Sequence, residues 1–384
     1  MLRLHIENTL DREEKIMAEW LKTSLIDIVE LIGGGTPKTS KAEYWGGNIN
    51  WLSVKDFNNE NRYVYSTEKT ITEEGLNNSS TKLLRKDDII ISARGTVGEL
   101  AMIPFPMAFN QSCYGIRAKD GINSTFLYYL IKHSVRKLKA MTHGSVFDTI
   151  TRDTFANIEV AIPDIETQQR VAKMLADIDD KVENNQRINN NLEQQAKALY
   201  KDWFFDFSPF SSDGNLPNSW RLGTVGDIIQ LHDSKRVPLS GAERDKMAKV
   251  YPYYGATSLM DYVDNYLFDG IYLLLGEDGT VVDSLGFPIL QYVYGQFWVN
   301  NHAHIITGKE GFSVEELYLF FSLTNIKSIV TGAVQQKVSQ QNLKKVPAII
   351  PSKEALSAFD DLIQPIFAQI RNLRDENAHL ADLR

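Results

Sequence analysis

Short apolar runs and long amphipathic stretches alternate along this chain, and they predict where its strands and helices lie. Apolar runs of strand length, bounded by glycine-rich turns, predict strands at 49–54, 88–92 and 113–117. A helical pattern at 124–141 interrupts these strands. Segment 20–165 is therefore predicted to be a mixed α/β domain, a twisted β-sheet with a helix or two.

Beyond each domain the apolar spacing changes to steps of three and four, which is typical of an amphipathic helix with one dry stripe. Such helices are predicted at 166–206 and 352–384. The first is expected to be helical over 166–204, about 58 Å at ~1.5 Å per residue. Met174 follows this spacing in the first helix, and Leu362 follows it in the second. The predicted seam positions are Ile178, Val182, Asn189 and Leu192, and then Ile366, Ile370, Asn377 and Leu380.

The two seams favour one pairing in particular. Matching seams within one chain most simply pair with each other as an antiparallel coiled coil, in which buried asparagines cost stability but fix the register. The alternative is that each helix docks on the helix of a partner protein, and both arrangements can occur together.

The plan of a domain followed by a helix occurs twice. Trp20 returns as Trp220, a shift of 200 residues (220 minus 20), and Pro163 returns as Pro351, a shift of 188 (351 minus 163). A period of roughly 190 residues is far too long for a solenoid, so it predicts two similar globular domains. Because the shift falls from 200 to 188 residues, the second domain is predicted to be shorter than the first between these two anchors.

The repeat also sets the predicted boundaries. The turn at 143–146 returns at 331–334, whereas the stretch 251–256 has no evident counterpart in the first domain. The predicted segments are a polar helical segment at 1–19, a first domain at 20–165, a helix at 166–206, a Pro-, Gly- and Ser-containing linker at 207–219, a second domain at 220–351 and a helix at 352–384.

Composition narrows the class of protein. The chain has 384 residues with 43% hydrophobic content, contains no run of 18 apolar residues, and lacks the apolar block of a signal peptide at its start. We therefore expect a cytoplasmic protein with no membrane span. The single cysteine, Cys113, fits a reducing compartment and is predicted to be a small core residue rather than a nucleophile.

Charge gives a weaker indication. The net charge of −8 argues mildly against an extensive nucleic-acid interface. The two domains are nevertheless close to neutral, with 17 Lys+Arg against 16 Asp+Glu in 21–165 and 11 against 14 in 208–351. Balanced domains of this kind can still carry a local basic face.

Motifs for catalysis are missing from the sequence. It has no GxxxxGK[ST] loop, no HExxH, no paired CxxC, no GxSxG, and no Asn/Asp-Pro-Pro-Tyr/Phe segment of the kind that holds a flipped adenine. His302 and His304 lie close together but have no clear third ligand. We therefore predict a protein that is not an enzyme, with no cofactor and no bound metal.

Polar and cationic loop residues remain as candidates for recognition. Amide side chains can pair with adenine, arginine can reach guanine, and short polar groups on glycine turns suit phosphates or base edges. In the first domain these residues are Thr36, Lys38, Lys41, Arg94 and Gln111. In the second domain they are Lys235, Arg236, Tyr254, Asn301, Gln336 and Lys337.

Several segments along the chain are informative in combination. They are GGGTPKTS at 33–40 with YWGG at 44–47, IISARGTVG at 90–98, IP at 162–163 followed by QQRV at 168–171, DWFFDF at 202–207, LPNSW at 216–220, YLFDG at 266–270 and VNNHAH at 299–304. Together, over about Trp20 to the end of the chain, they resemble the specificity (S) subunit of type I restriction-modification systems. No single one is specific, but the combination is.

The resemblance implies that each domain reads one half of a bipartite double-stranded DNA site, while the helices set the gap between the halves. It also implies that two methyltransferase (M) subunits dock on the helices and that restriction (R) subunits join them, the chain itself performing no chemistry. The DWFF motif of the first helix has no second copy before Arg384. Either segment 1–19 is expected to complete that end, or the C-terminus is expected to be shortened.

A protein of another class would share part of this pattern. The acidic balance also fits a non-catalytic adaptor whose helices form a coiled coil and whose two domains bind proteins rather than DNA.

Overall fold

A computed structural model of the chain describes residues 20–59, 61–142, 149–332 and 335–384, and describes no side chains at 136–142. The described residues form two compact units, divided after Asn184 and after Ala378. The predicted segment 1–19 and most of the repeated turn residues, 143–146 and 333–334, lie outside this description. Within it, no helix is both long enough and apolar enough to cross a membrane.

The described part of the first unit combines short strands, short helices and one longer helix. The strands are β1 (Leu21–Ser24), β2 (Val29–Gly33), β3 (Trp45–Leu52), β4 (Lys69–Ile71), β5 (Leu83–Leu84), β6 (Ile89–Ser92), β7 (Leu100–Met102), β8 (Met107–Phe109), β9 (Cys113–Ala118) and β10 (Glu159–Ile162). The helices are α1 (Glu73–Asn77), α2 (Ser124–Thr142) and α3 (Arg152–Ala156), with 3-10 turns at Leu25–Ile28, Ala42–Tyr44 and Val54–Asp56.

Strand β6 separates two layers of the core in this unit. The strands form sheets of order β2-β9-β6-β7 and β4-β3-β8-β5, and a separate pair, β1-β10. Ile89 and Ile91 join the cluster that contains Leu127 of α2, while Ile90 joins a second cluster with Phe109. Successive side chains of a strand point to opposite faces, so a strand buried on both faces is apolar throughout. This is why the predicted strand at 88–92 could be found from its sequence.

The second unit repeats the architecture with fewer strands. Its strands are β11 (Arg221–Thr224), β12 (Ile229–Leu231), β13 (Tyr251–Tyr254), β14 (Leu259–Val263), β15 (Phe268–Gly276), β16 (Leu290–Val299), β17 (Ala303–Gly308) and β18 (Pro347–Ile350). Six of them form a sheet of order β12-β17-β15-β16-β13-β14, and β11 pairs with β18. The helices, with the two long ones included, are α4 (Ile165–Phe204), α5 (Val225–Ile228), α6 (Gly241–Arg244), α7 (Val314–Leu323), α8 (Gln340–Leu343) and α9 (Lys353–Leu383), with 3-10 turns at Asp233–Lys235 and Lys327–Ile329.

The internal repeat extends to backbone pairing, and it supplies the counterpart that the sequence does not show. Strands β3 and β8 are parallel, with Leu52 opposite Phe109, and strands β13 and β16 are parallel, with Tyr254 opposite Val299. The stretch 251–256, which has no evident counterpart in the sequence, therefore corresponds to β3 in its backbone pairing. Strands β3 and β13 have the same pattern of backbone pairing but different side chains, so their amino-acid sequences do not align.

The long helices contact each other within the second unit. Asn185 of α4 is fully buried, and its side-chain amide donates to Glu376 Oε2 and Asn377 Oδ1 of α9, each at 2.8 Å. Further along α4, the ring of Tyr200 lies 5.5 Å from that of Phe359. These contacts join the two helices at both ends of their shared stretch.

Other seam positions are buried to different degrees. Ile370 is buried, while Leu192 and Ile366 are partly buried against the core of the second unit. The remaining seam residues are half-buried, namely Ile178, Val182, Asn189, Asn377 and Leu380. Met174 and Leu362 are 64% and 47% exposed, so the prediction of a continuous dry stripe is wrong at these two positions.

Candidate nucleic-acid interface

Both units build the same turn where their parallel strands end. In the first, the Asn110 N–H donates to the Leu52 carbonyl at 2.9 Å, and the Asn110 side-chain oxygen accepts from the Ser112 N–H at 3.1 Å. In the second, Asn300 makes the equivalent bonds, to the Tyr254 carbonyl at 3.0 Å and from the His302 N–H at 2.8 Å. An asparagine that bonds the backbone two residues on is a stable turn former. The residues that follow each asparagine, Gln111 and Asn301, are both exposed at matched positions.

In the first unit, the glycine loop after β2 packs directly on this turn. The Gly35 N–H donates to the Phe109 carbonyl at 2.9 Å, and the indole N–H of Trp51 donates to the Gly35 carbonyl at 3.0 Å. A Cβ on Gly34 would lie 2.1 Å from the Asn110 carbonyl oxygen, so only glycine fits there. This close approach brings the Thr36 hydroxyl within hydrogen-bond contact of the Gln111 side chain.

A second tight loop presents Arg94 next to the same turn. The Ala93 N–H donates to the Ser112 carbonyl at 2.8 Å, and the Ser92 hydroxyl accepts from the Glu99 N–H at 2.8 Å. Gly95 adopts a positive φ of 76°, which favours glycine at the tip. The Arg94 side chain is exposed beyond this fixed backbone.

The two lysines of the glycine loop are also exposed. The Lys38 carbonyl accepts from the indole N–H of Trp45 at 3.3 Å, which ties the loop to β3. The Lys41 ammonium lies 3.5 Å from the Glu43 carboxylate and 4.8 Å from the centre of the Tyr44 ring. Lys41 is therefore partly neutralised locally, whereas Lys38 carries its charge at the surface.

In the second unit, four loop segments meet around the Asn300 turn. The Glu277 N–H donates to the His302 carbonyl at 2.8 Å, and the Gly279 N–H donates to the Gln336 carbonyl at 3.0 Å. The segment at 233–236 joins them through Arg236, whose guanidinium donates to the Ala303 carbonyl at 2.8 Å. The structure thus brings together the exposed side chains predicted from the sequence, Lys235, Asn301, Gln336 and Lys337.

Tyr254 and Arg236 lie deeper than the other candidates. Tyr254 is half-buried with its ring 5.9 Å from Phe297, and burial raises the pKa of its hydroxyl above the ordinary value. Only 14% of the Arg236 side chain is exposed, and its guanidinium lies 2.6 Å from the Glu277 carboxylate. Arg236 is therefore held beneath the loops, and its position does not support the predicted contact with DNA.

The residues beneath these loops form a charged cluster. Asp233, Glu277 and His304 place one ligand-type atom each within 4.8 Å of one another. His304 is fully buried, with Nδ1 2.6 Å from the Asp233 carboxylate and Nε2 2.7 Å from the Val338 carbonyl oxygen. The ring thus bridges the Asp233 carboxylate and the Val338 carbonyl.

Opposite charges compensate one another inside this cluster. Burial raises the pKa of the Asp233 carboxyl, but hydrogen bonds from His304 and from the Ile305 N–H outweigh burial and lower it. The Arg236 guanidinium and the Lys337 ammonium, 3.5 Å from Glu277, supply further positive charge. The cluster has the residue types of a metal site, but its cations already occupy the carboxylates, which indicates an ion-pair network.

Sequence reasoning missed most of this network. The pair His302 and His304 is visible in the sequence, but the partners of His304 come from distant loops. Their spacing in the sequence was no guide, because His302 is exposed in the turn before β17, whereas His304 is buried in β17.

Cys113 lies in the core next to the recognition turn. Its side chain is buried, and burial raises the pKa of the thiol to about 12, with the Asp56 charge adding to this effect. A thiol with so high a pKa is a poor nucleophile. The prediction of a small core residue is confirmed.

Comparisons with known proteins agree in one family. A family model described as "Type I restriction modification DNA specificity domain" matches residues 17–194 and again 217–377. The chain is 29% identical over 401 aligned positions to the type I restriction enzyme MjaIX specificity subunit of Methanocaldococcus jannaschii, which covers 96% of this chain and 92% of that protein. It is 22% identical over 385 positions to the type I restriction enzyme EcoprrI specificity subunit of Escherichia coli, with 94% and 92% covered.

A solved structure has the same fold. The crystal structure of the type I restriction-modification system S subunit from M. genitalium matches with a TM-score of 0.58 at 15% identity, over 95% of this chain and 94% of that chain. At this level of identity the likeness concerns the fold, and it agrees with the mixed α/β architecture described above.

Proposed function

The chain belongs to the family of type I restriction modification DNA specificity domains, and from this premise we propose that it is the subunit through which a restriction-modification complex reads a bipartite DNA sequence. The observation that carries the proposal is the duplication. Two copies of the family domain each contain the same asparagine turn, surrounded by exposed polar and cationic side chains. Each domain reads one half of the DNA site.

The proposed reading residues lie around the two turns, most of them exposed and Thr36 half-buried. For the first half-site they are Thr36, Lys38, Lys41, Arg94 and Gln111. For the second they are Lys235, Asn301, Gln336 and Lys337, with Tyr254 at the edge and Arg236 holding the loops from below. Amides and arginine suit base edges in the major groove, whereas the lysines suit phosphates.

We further propose that α4 and α9 pair as an antiparallel coiled coil. Asn185 contacts Asn377, and Tyr200 contacts Phe359. Residue numbers thus increase along α4 in the direction in which they decrease along α9, which is an antiparallel arrangement. The buried Asn185 amide is the kind of polar group that fixes the register of such a pair. Paired in this way, the helices set the distance between the two half-sites.

Partner subunits also have candidate positions on the helices. Met174 and Ile188 of α4 are both exposed and 14 residues apart (188 minus 174), which places them on one stripe of a helix with seven-residue periodicity. Exposed apolar side chains on one stripe suit docking of another protein. We propose that two methyltransferase subunits dock along these helices, that restriction subunits join through them, and that the chain itself performs no chemistry.

Methylome sequencing tests the proposed function. The genome of the host is compared with that of a strain lacking this gene and with the same strain carrying the gene on a plasmid. A bipartite N6-methyladenine motif should disappear on deletion and return with the plasmid. An unchanged methylome in the deleted strain would refute the proposal.

A further inference from the structure

The buried charged cluster of the second domain carries an inference beyond the reading residues themselves. We propose that Asp233, Arg236, Glu277 and His304 are positioning residues, which set the base selectivity of the second half-site by holding its loops in place. The proposal rests on the proposed function, because it concerns how the same interface becomes selective.

His304 connects two of the loops through a single ring. Its Nδ1 bonds the Asp233 carboxylate, and its Nε2 bonds the Val338 carbonyl. Asp233 begins the turn that exposes Lys235, and Val338 directly follows Lys337. A shift of the imidazole therefore moves two groups of proposed reading residues at once.

Arg236 and Glu277 connect the other two segments. The Arg236 guanidinium donates to the Glu277 carboxylate at 2.6 Å and to the Asn301 carbonyl at 3.3 Å. The backbone of Glu277 in turn accepts from the Val338 N–H at 2.8 Å. All four loop segments are thus joined by one network, although they are far apart in the sequence.

Burial makes this network a stiff support. His304 is fully buried and Asp233 is 7% exposed, so breaking one ion pair leaves a charge without its partner in a poorly solvated place. Base selectivity requires donors and acceptors to be held within about half an ångström of their productive positions. Loops that are fixed from below can meet this requirement while their side chains remain in solvent.

The first domain solves the same problem differently. In the first domain Ile91 lies opposite Tyr114, and the equivalent strand pair of the second domain is Leu275 opposite His304. Tyr114 therefore takes the position of His304. Gly33 corresponds to Asp233 at the shift of 200 residues, so the first domain has no carboxylate at this position. Its loop is held instead by the close backbone packing of Gly34 and Gly35. Loss of the charged network should therefore affect only one half-site.

The test compares base selectivity at the two half-sites. The complex assembled with its methyltransferase subunits is challenged with DNA duplexes carrying the methylated motif of the host, with one half or the other randomised. The variants are His304→Gln, which cannot bridge both acceptors, and Glu277→Gln as a milder change that retains an acceptor for Arg236. Tyr114→Phe, at the register-equivalent position of the first domain, is the matched control.

We expect His304→Gln to reduce the preference for the correct second half by about tenfold, the size of one lost base contact, and Glu277→Gln to reduce it less. Preference for the first half should stay unchanged in both. Preference is a ratio within one preparation, so partial unfolding does not alter it. Weaker total binding with unchanged preference, or an equal loss at both halves, would overturn the inference. A wild-type complex without any preference would instead overturn the proposed function.

Discussion

Gly34 shows how a single missing side chain can position a recognition loop. Its absent Cβ would meet the Asn110 carbonyl oxygen at 2.1 Å, whereas a Cβ on the adjacent Gly33 would meet nothing within 4 Å. Neither residue needs a positive φ, so the two differ only in the space around them.

We predict that Gly34→Ala displaces the glycine loop from the turn and lowers base selectivity at the first half-site by about tenfold, because Thr36 and Lys38 move with it. Gly33→Ala is the control and should bind like the wild type. The measurement is competition binding with first-half base substitutions. Equal behaviour of the two variants would contradict the close packing of this loop.

Arg94 is exposed on a rigid turn, which makes it the clearest candidate for direct reading in the first domain. A contact with a base should cost roughly 1–3 kcal/mol when Arg94 becomes alanine and should relax one base position. A contact with phosphate should weaken binding to all sequences alike. Binding free energies across a panel of single-base substitutions distinguish these results, and Arg94→Lys, which preserves charge but not the planar fork, should rescue only a phosphate contact.

Glu316 makes stability depend on pH for a reason unrelated to DNA. Its side chain is fully buried, and among the described residues its Oε1 has no hydrogen-bond partner. Burial, together with the charges of Asp360 and Glu315, raises its pKa from 4.5 to about 8, against the lowering effect of hydrogen bonds from Ser313. The pKa of Glu316 is higher in the folded protein than in the unfolded chain. Its protonated carboxyl therefore favours the folded state fully below pH 4.5, and this stability is lost as pH rises towards 8.

We therefore predict that Glu316→Gln raises the free energy of unfolding at pH 7 by about 2 kcal/mol and removes part of its decline between pH 5 and 8. Urea unfolding at several pH values measures both effects. Glu315→Gln should act in the opposite direction, because Glu315 is an ion-pair partner of Arg371 at 3.1 Å. A wild-type pH dependence in Glu316→Gln would show that this carboxyl is ionised in the folded protein.

Among the elements, the long helices depend on one buried amide. Asn185 donates to both Glu376 and Asn377, so Asn185→Ala removes two hydrogen bonds made by a fully buried amide. We predict a loss of about 1–2 kcal/mol in the free energy of unfolding. Asn190→Ala, an exposed position on the same helix, should change it by less than about 0.5 kcal/mol. Urea denaturation followed by circular dichroism tests the pair, and equal effects would argue against a buried register position.

Elements were predictable from the sequence where their own side chains determine them. The strand at 88–92 and the helices α4 and α9 follow from apolar runs and from regular spacing. The equivalence of β13 with β3 was not predictable, because it consists of backbone pairing with different side chains. The cluster around His304 was not predictable either, since its members converge only after four separate loops have folded together.

At the scale of the whole molecule, the acidic net charge that favoured a protein-binding adaptor is an average over 384 residues. Four exposed cations, Lys38, Arg94, Lys235 and Lys337, lie around the two asparagine turns. Some carboxylates are held in capping boxes and ion pairs elsewhere, such as Asp261, whose pKa is lowered to about 2, first by a hydrogen bond from Lys249. A local cationic surface on an acidic protein is compatible with DNA binding, because phosphates respond to the nearby charges within about a Debye length. Family membership and the cations around the turns thus both favour DNA binding, although the net charge of the whole chain favours a protein-binding adaptor.

The whole molecule also yields a prediction about the spacer between the half-sites. If α4 and α9 pair antiparallel, they act as a ruler. Inserting four residues after Asn190 lengthens α4 by about 6 Å and nearly preserves its seam, because four residues are close to one turn. Base pairs are stacked at about 3.4 Å, so we predict that the methylated motif gains one or two unread base pairs while both half-sites stay the same.

The same insertion after Gly214, an exposed position in the linker outside the helix, should leave the motif unchanged. Methylome sequencing measures both, and a changed half-site with a constant spacer would refute the ruler.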